Sequence, residues 1–132
     1  MGPLSALGPY LWVGVGGFLG ANARYALGVW LGGRLGTAFP YPTLLVNVSG
    51  SLAIGVLAAL LTERAAPAWR LLLAVGFLGG STTFSSYALE ALALAQRGEW
   101  VRGLWYVVGS NGLALAACAA GMGLAGAVAR AP

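Results

Sequence analysis

The sequence predicts an all-α membrane protein of four transmembrane helices, the third of them broken near its middle. Three observations predict it. Of the 132 residues, 59% are hydrophobic and only 8% charged, where a soluble domain carries about 25% charged residues. A soluble chain of this size could not cover its surface with so few charges, so much of that surface faces lipid. The charge-free stretches number four, each near the length of roughly 20 apolar residues that a spanning helix needs. Finally, a Gly-Gly-Ser-Thr-Thr run lies at the centre of the third stretch. The length suits one transmembrane domain covering residues 1–132.

The spans are expected at about 10–33, 41–62, 69–96 and 101–128, with the break near 79–83. The charge-free runs within these spans are broken at Arg34, then by the segment from Glu63 to Arg70 with Pro67, then by the segment from Glu90 to Arg102. Backbone in lipid must satisfy its own hydrogen bonds, so helices are the natural spanning element. Tyr10, Trp12, Trp30, Tyr41, Trp69, Trp100 and Trp105 sit near span ends, as an interfacial aromatic belt requires. Gly16 and Gly20 form a GxxxG pair that Gly28 and Gly32 repeat, and Gly50, Gly55, Gly109 and Gly112 add small faces elsewhere. Such residues let helices approach where hydrophobicity cannot drive association.

Several function classes are disfavoured. The net charge of +4 comes from seven arginines against three glutamates. These arginines are scattered at the edges of apolar runs, not clustered on a nucleic-acid-binding face. With one cysteine, Cys118, and no histidine, neither an intrachain disulfide nor a transition-metal site is expected. The start, Met1-Gly2-Pro3-Leu4-Ser5, has no basic region typical of a cleaved signal peptide. Gly121 to Gly126 spells GxGxxG but follows no strand, so the dinucleotide reading fails. Asn47-Val48-Ser49 is a glycosylation sequon lying within a span, where no surface loop exists.

Orientation follows from the arginines outside the spans. Arg64, Arg70 and Arg130 share one side, and Arg34, Arg97 and Arg102 the other. The positive-inside rule then gives no preference, which permits insertion both ways. Two oppositely inserted copies could pair about a two-fold axis in the membrane plane. The alternative is that one arginine or a partner fixes the orientation.

The third span carries the densest chemistry. Its charge-free run, 71–89, has its midpoint at residue 80, beside Gly79 and Gly80 and the hydroxyls of Ser81, Thr82, Thr83, Ser85 and Ser86. Each glycine lowers helix stability by about 1 kcal/mol relative to alanine, and the hydroxyls compete for backbone groups. A broken helix is expected, with freed carbonyls and helix ends of the kind that hold ions. The alternative is a glycine-mediated helix crossing with back-bonded hydroxyls. Arg24, inside the first span, faces an aqueous cavity or snorkels to the nearer surface. Asn47, deep in the second span, lines a path or bridges helices. Tyr106 and Ser110 are four apart and share a face, and Asn111 is adjacent to Ser110. No acid interrupts the spans before Glu90, at the end of the third. A lining rich in donors and poor in negative charge suits a small anion, which phenyl edges can also contact.

At this point the chain resembles a known family, the Fluc (CrcB) fluoride channels. The segment from Gly16 to Tyr25 resembles that family's GGxxGAxxRY, the segment from Thr43 to Gly50 its TLxVNxxG, and the segment from Gly76 to Ser85 its GxxGGxTTFS. The resemblance implies an antiparallel, dual-topology homodimer in a prokaryotic inner membrane, with two fluoride pores and a role in fluoride resistance. It implies a structural Na⁺ on the two-fold axis, held by the backbone carbonyls of Gly79 and Thr82. It assigns the pore amide to Asn47, a pore phenylalanine to Phe84, the conserved arginine to Arg24, and the polar track to Tyr106 and Ser110. The candidate anion path thus comprises Asn47, Phe84, Tyr87, Ser85, Thr83, Tyr106, Ser110, Thr43 and Arg24. Two residues depart from the pattern. Tyr87 stands where the family has a second phenylalanine, and Ala114 where a further hydroxyl would extend the track.

Two other classes were weighed against this reading. A proton-coupled small multidrug-type transporter needs a glutamate in its first span, and the first acid here is Glu63. A non-transporting membrane scaffold explains the glycines but not the Gly-Gly-Ser-Thr-Thr run. The arginine balance itself yields a test. Two or three lysines added at the C-terminus should bias every copy one way and abolish fluoride flux, and co-expression of an oppositely biased variant should restore it. Full flux through one biased species alone would rule out the antiparallel dimer.

Overall fold

The computed structural model describes residues 7–61 and 66–129. Arg64 and Arg130, used in the charge balance, and the start Met1–Ser5 lie outside them. Among the described residues every regular element is helical: α1 (Gly8–Leu35), α2 (Tyr41–Leu60), α3 (Pro67–Trp69 continued by Arg70–Leu78 and Gly79–Ser81), α4 (Phe84–Gln96) and α5 (Trp100–Ala129). Three stretches are long and apolar enough to cross a membrane: Tyr41–Leu60, Pro67–Gln96 and Trp100–Val128. α1 has 28 residues, or about 42 Å at 1.5 Å per residue, but its glycines, Asn22, Arg24 and Arg34 make it less apolar.

The helix boundaries have local causes. Pro9, Pro42 and Pro67 stand in first turns, where a missing N–H leaves no bond unmade. α4 ends in a Schellman motif: Gly98 N donates to Ala95 O and Glu99 N to Leu94 O, both at 2.9 Å. That turn needs the positive φ of +79° that Gly98 adopts.

α1 crosses α3 by direct backbone approach. A Cβ on Gly16 would strike Leu72 O, one on Gly20 would strike Phe77 O, and one on Gly80 would press on the Gly17 backbone. The facing segment, Arg70–Leu78, is wound with wide i→i+5 turns. α2 runs along α5 in the most extensive packing of the molecule, where Gly55 meets Cys118 O and Gly121 meets Leu52 O. The GxGxxG match therefore contributes its first glycine to helix packing. Gly28, Gly32, Gly109 and Gly112 have nothing within 4 Å, so identical motifs divide between packed and open positions.

The interruption of the third span lies within the expected 79–83, at the two threonines. Gly79 and Gly80 remain helical, and the chain turns extended only at Thr82 (φ −78°, ψ 153°) and Thr83 (φ −150°, ψ 122°). Ser81 and Thr82 hydroxyls both donate back to Leu78 O. Both sequence alternatives are thus present: Gly80 serves the crossing, and the break follows it. Beyond the break a small core of Tyr87, Leu94 and Tyr106 forms between α4 and α5, flanked by Phe39 and Leu44. Outside, the belt aromatics Tyr10, Trp12, Trp30, Tyr41, Trp69, Trp100 and Trp105 are all exposed.

Substitution at a packed glycine should therefore differ sharply from substitution at an open one. Gly20→Leu should lower stability by about 1–3 kcal/mol or more through overpacking, whereas Gly123→Ala, where nothing lies within 4 Å, should be neutral or stabilising. Chemical unfolding in detergent, followed by tryptophan fluorescence, reads both. Equal midpoints would mean that the α1–α3 approach is not tight.

Candidate functional site

The site is built around Asn47. From α2, its Nδ2 donates to Thr83 O at 2.9 Å, and its Oδ1 accepts from Thr83 N at 2.8 Å. This reciprocal pair satisfies both backbone groups of the residue at which the helix is interrupted. Thr83 Oγ1 then accepts from Ser86 N at 3.2 Å and caps α4. Asn47 O meanwhile accepts from Ser51. The amide's second N–H has no partner among the described residues.

These bonds decide which carbonyls are released. In an unbroken helix, Gly79 O would accept from Thr83 N, and Thr82 O from Ser86 N. Thr83 N is taken by Asn47 and Ser86 N by Thr83 Oγ1. Gly79 O and Thr82 O therefore lose those helical donors.

A partly open cavity of about 400 Å³ lies at the break, lined by Asn47, Gly50, Ser51, Gly79, Thr82, Thr83, Phe84, Tyr87, Ser110, Asn111 and Ala114 among others. Phe84 is 77% exposed, whereas Tyr87 is buried and their rings lie 5.3 Å apart. Ser110 Oγ is buried without a hydrogen-bond partner among the described residues. The wall mixes apolar side chains (Ile54, Ala74, Leu78 and Ala114) with amides, hydroxyls and two aromatic rings, and has no carboxylate among its lining residues.

Other expected residues sit elsewhere. Arg24 and Thr43 line a second cavity of about 380 Å³, with Tyr25, Ser86 and Glu90. Arg24 Nε is buried there without a hydrogen-bond partner among the described residues. Ser85 is exposed, with its Oγ 3.3 Å from Thr83 Oγ1. Tyr106 shares the buried face of α5 with Ser110, but its hydroxyl donates to Glu90 Oε2 at 2.7 Å. Thr43 donates to Glu90 Oε1, also at 2.7 Å. Glu90 thus accepts hydrogen bonds from two hydroxyls of the expected anion path.

Sequence reasoning missed the part played by Glu90 and Ser51, and named Asn111 only as the neighbour of Ser110. Glu90 lies inside the expected span 69–96 and inside α4, which ends at Gln96, but no residue type or spacing signalled its bonds to Thr43 and Tyr106. Ser51, one turn after Asn47, lines the cavity. Asn111 donates to Tyr87 Oη at 2.8 Å, a contact that spacing alone does not reveal.

Comparison with known proteins now bears on this geometry. The family model for CrcB-like protein, Camphor Resistance (CrcB), matches residues 11–122, which include every residue lining the first cavity. A fluoride-specific ion channel FluC of Rhizobium leguminosarum bv. trifolii is 50% identical over 114 residues, covering 85% of this chain and 91% of that protein. The FluC of Rhizobium meliloti is 47% identical over 116 residues, covering 86% and 93%. That of Roseiflexus sp. is 45% identical over 115 residues, covering 86% and 93%.

The Asn47 pair can be tested directly. Asn47→Ala removes two hydrogen bonds and strands the Thr83 N–H, and should lower stability by about 2–4 kcal/mol. Asn47→Asp keeps the acceptor for Thr83 N but sets a carboxylate oxygen against Thr83 O, and should be at least as destabilised as Asn47→Ala at neutral pH. Unfolding midpoints in detergent give the order. An Asn47→Ala midpoint equal to wild type would mean that the pair does not hold the break.

Proposed function

This chain belongs to the CrcB-like family, and from that membership we infer that it is a fluoride-specific ion channel, a multi-pass protein of the bacterial cytoplasmic membrane. It is a conduit and not an enzyme. It passes F⁻ down its electrochemical gradient and so relieves fluoride toxicity. The observation that carries the reading is the cavity at the helix break, mostly apolar but holding the free donors of Asn47 and Ser110 beside Phe84, every lining residue of which falls within the family match.

Fluoride is small and strongly hydrated, so a path must replace its water with closely spaced donors. The second N–H of Asn47, the Ser110 hydroxyl and the electropositive edge of Phe84 supply them in one cavity. Thr83 positions these groups through its backbone and cap, and Ser85 extends the hydroxyl edge. Arg24 and Thr43, in the second cavity, form the approach. Tyr106 acts through Glu90, which its hydroxyl orients.

Four spans follow if α1 also crosses the bilayer. It is long enough, and it packs side by side with the spanning α3 along Gly16 and Gly20. The functional unit is a homodimer of oppositely inserted copies. The balanced arginines support that arrangement, as does the exposed Phe84 beside a partly open polar cavity. Polar backbone at membrane depth must be covered by protein or line an aqueous path, and a second copy provides the cover. The released carbonyls of Gly79 and Thr82 form an oxygen-only set that fits a hard monovalent cation. Na⁺ held there on the dimer axis would supply positive charge that eases the approach of an anion through a low-dielectric region.

Fluoride efflux from liposomes tests the reading. Purified protein should release F⁻ and far less Cl⁻, and Phe84→Ile, which keeps bulk but removes the ring edge, should cut the rate by about tenfold or more. Absence of fluoride efflux through wild-type protein would end the proposal, and near-normal efflux through Phe84→Ile would move the path elsewhere.

A further inference from the structure

Tyr87 is distinguished by the direction of one proton. Asn111 Nδ2 donates to Val107 O at 2.7 Å and to Tyr87 Oη at 2.8 Å. A carbonyl only accepts, so the Val107 contact fixes which end of the Asn111 amide carries nitrogen. That nitrogen only donates, so Tyr87 Oη must be the acceptor in the pair. The hydroxyl's own proton therefore points away from Asn111, and no acceptor among the described residues takes it. The ring cannot swing to find one. It is 8% exposed and wedged between Phe84 and Tyr106, each at a centroid distance of 5.3 Å. Tyr87 lies on the wall of the same cavity as Asn47, Phe84 and Ser110. A hydroxyl that accepts one hydrogen bond is polarised into a better donor for another.

We propose that the Tyr87 hydroxyl donates directly to the permeating anion, and that Asn111 is the positioning residue that aims and polarises it. The proposal rests on the fluoride-channel reading above and adds an atom to the path. The ligand it fits is a small, hard, strongly hydrogen-bond-accepting anion, which gains more from one short O–H contact than a larger halide does. A phenylalanine at this position offers only a ring edge. Asn111, with one N–H on Val107 O and the other on Tyr87, has no donor left for the ion. Its effect must therefore pass through Tyr87.

The test is fluoride efflux from liposomes over a range of fluoride concentrations, for wild type, Tyr87→Phe, Asn111→Leu and the double variant. Tyr87→Phe should raise the half-saturating concentration about tenfold, the scale of one hydrogen bond to a charged group. Asn111→Leu should raise it by a smaller factor, about threefold, and should add nothing in the Tyr87→Phe background. A merely structural role would lower flux at every concentration without moving half-saturation. An unmoved half-saturation in Tyr87→Phe overturns the proposal, and multiplying effects in the double variant overturn the role of Asn111. Size-exclusion profiles check assembly, and Asn111→Ser takes the place of the leucine variant should the latter fail to fold. Wild-type protein without any fluoride flux would instead defeat the channel reading itself.

Discussion

In the interior of a membrane a backbone amide has no water to turn to, and an interrupted helix has several such groups. The pairing of the Asn47 side chain with both backbone groups of Thr83 meets that constraint at the interruption. The rest of the site follows from it. Because Thr83 N is occupied, Gly79 O loses its helical partner. Because Thr83 Oγ1 caps Ser86 N, α4 can start at Phe84 in a new direction. That start places Phe84 and Tyr87 on the cavity wall and brings Tyr87 within reach of Asn111 on α5. An asparagine suits the position because one short side chain presents a donor and an acceptor together.

The interruption is held between two tight helix crossings. α1 meets α3 through Gly16, Gly17, Gly20 and Gly80, and α2 meets α5 through Gly55 and Gly121. Lipid tails give little hydrophobic drive to helix association, so close backbone approach and the dispersion that comes with it are the available attraction. The first crossing fixes the segment before Thr82, and the second sets α2, which carries Asn47, against α5. Gly50 adds to this, since its missing Cβ makes room for the Thr82 side chain.

Hydrogen-bond accounting divides the polar residues into two groups. Thr43 and Tyr106 donate hydrogen bonds to Glu90, and Ser81 and Thr82 donate theirs to Leu78 O. These groups are satisfied within the protein. Ser110, the second N–H of Asn47 and the Tyr87 hydroxyl keep donors without an acceptor among the described residues, and all three lie on one cavity. A polar residue's type does not reveal to which group it belongs, because membership depends on whether an acceptor stands within about 3 Å.

The sequence by itself determined whatever depends on composition and short-range order. Low charge and long apolar runs required lipid-facing helices, the aromatics near the run ends stayed outside the core, and three ordered motifs pointed to the family to which the chain belongs. Gly-Gly-Ser-Thr-Thr signalled an interruption, because local propensity is written in adjacent residues. The tertiary structure decided the rest. Within the expected 79–83 it chose Thr82–Thr83 for the extended residues, since the partner that satisfies Thr83 is Asn47, 36 residues away. It made Glu90 an acceptor shared by α2 and α5. It separated Gly16 and Gly20, pressed against backbone, from Gly28 and Gly32, where an added Cβ would meet nothing within 4 Å. The physical reason is common to all three. Helical periodicity fixes which face a residue occupies, whereas a hydrogen bond or a backbone contact requires another segment within a few ångströms, and only the packing of the whole chain supplies that distance.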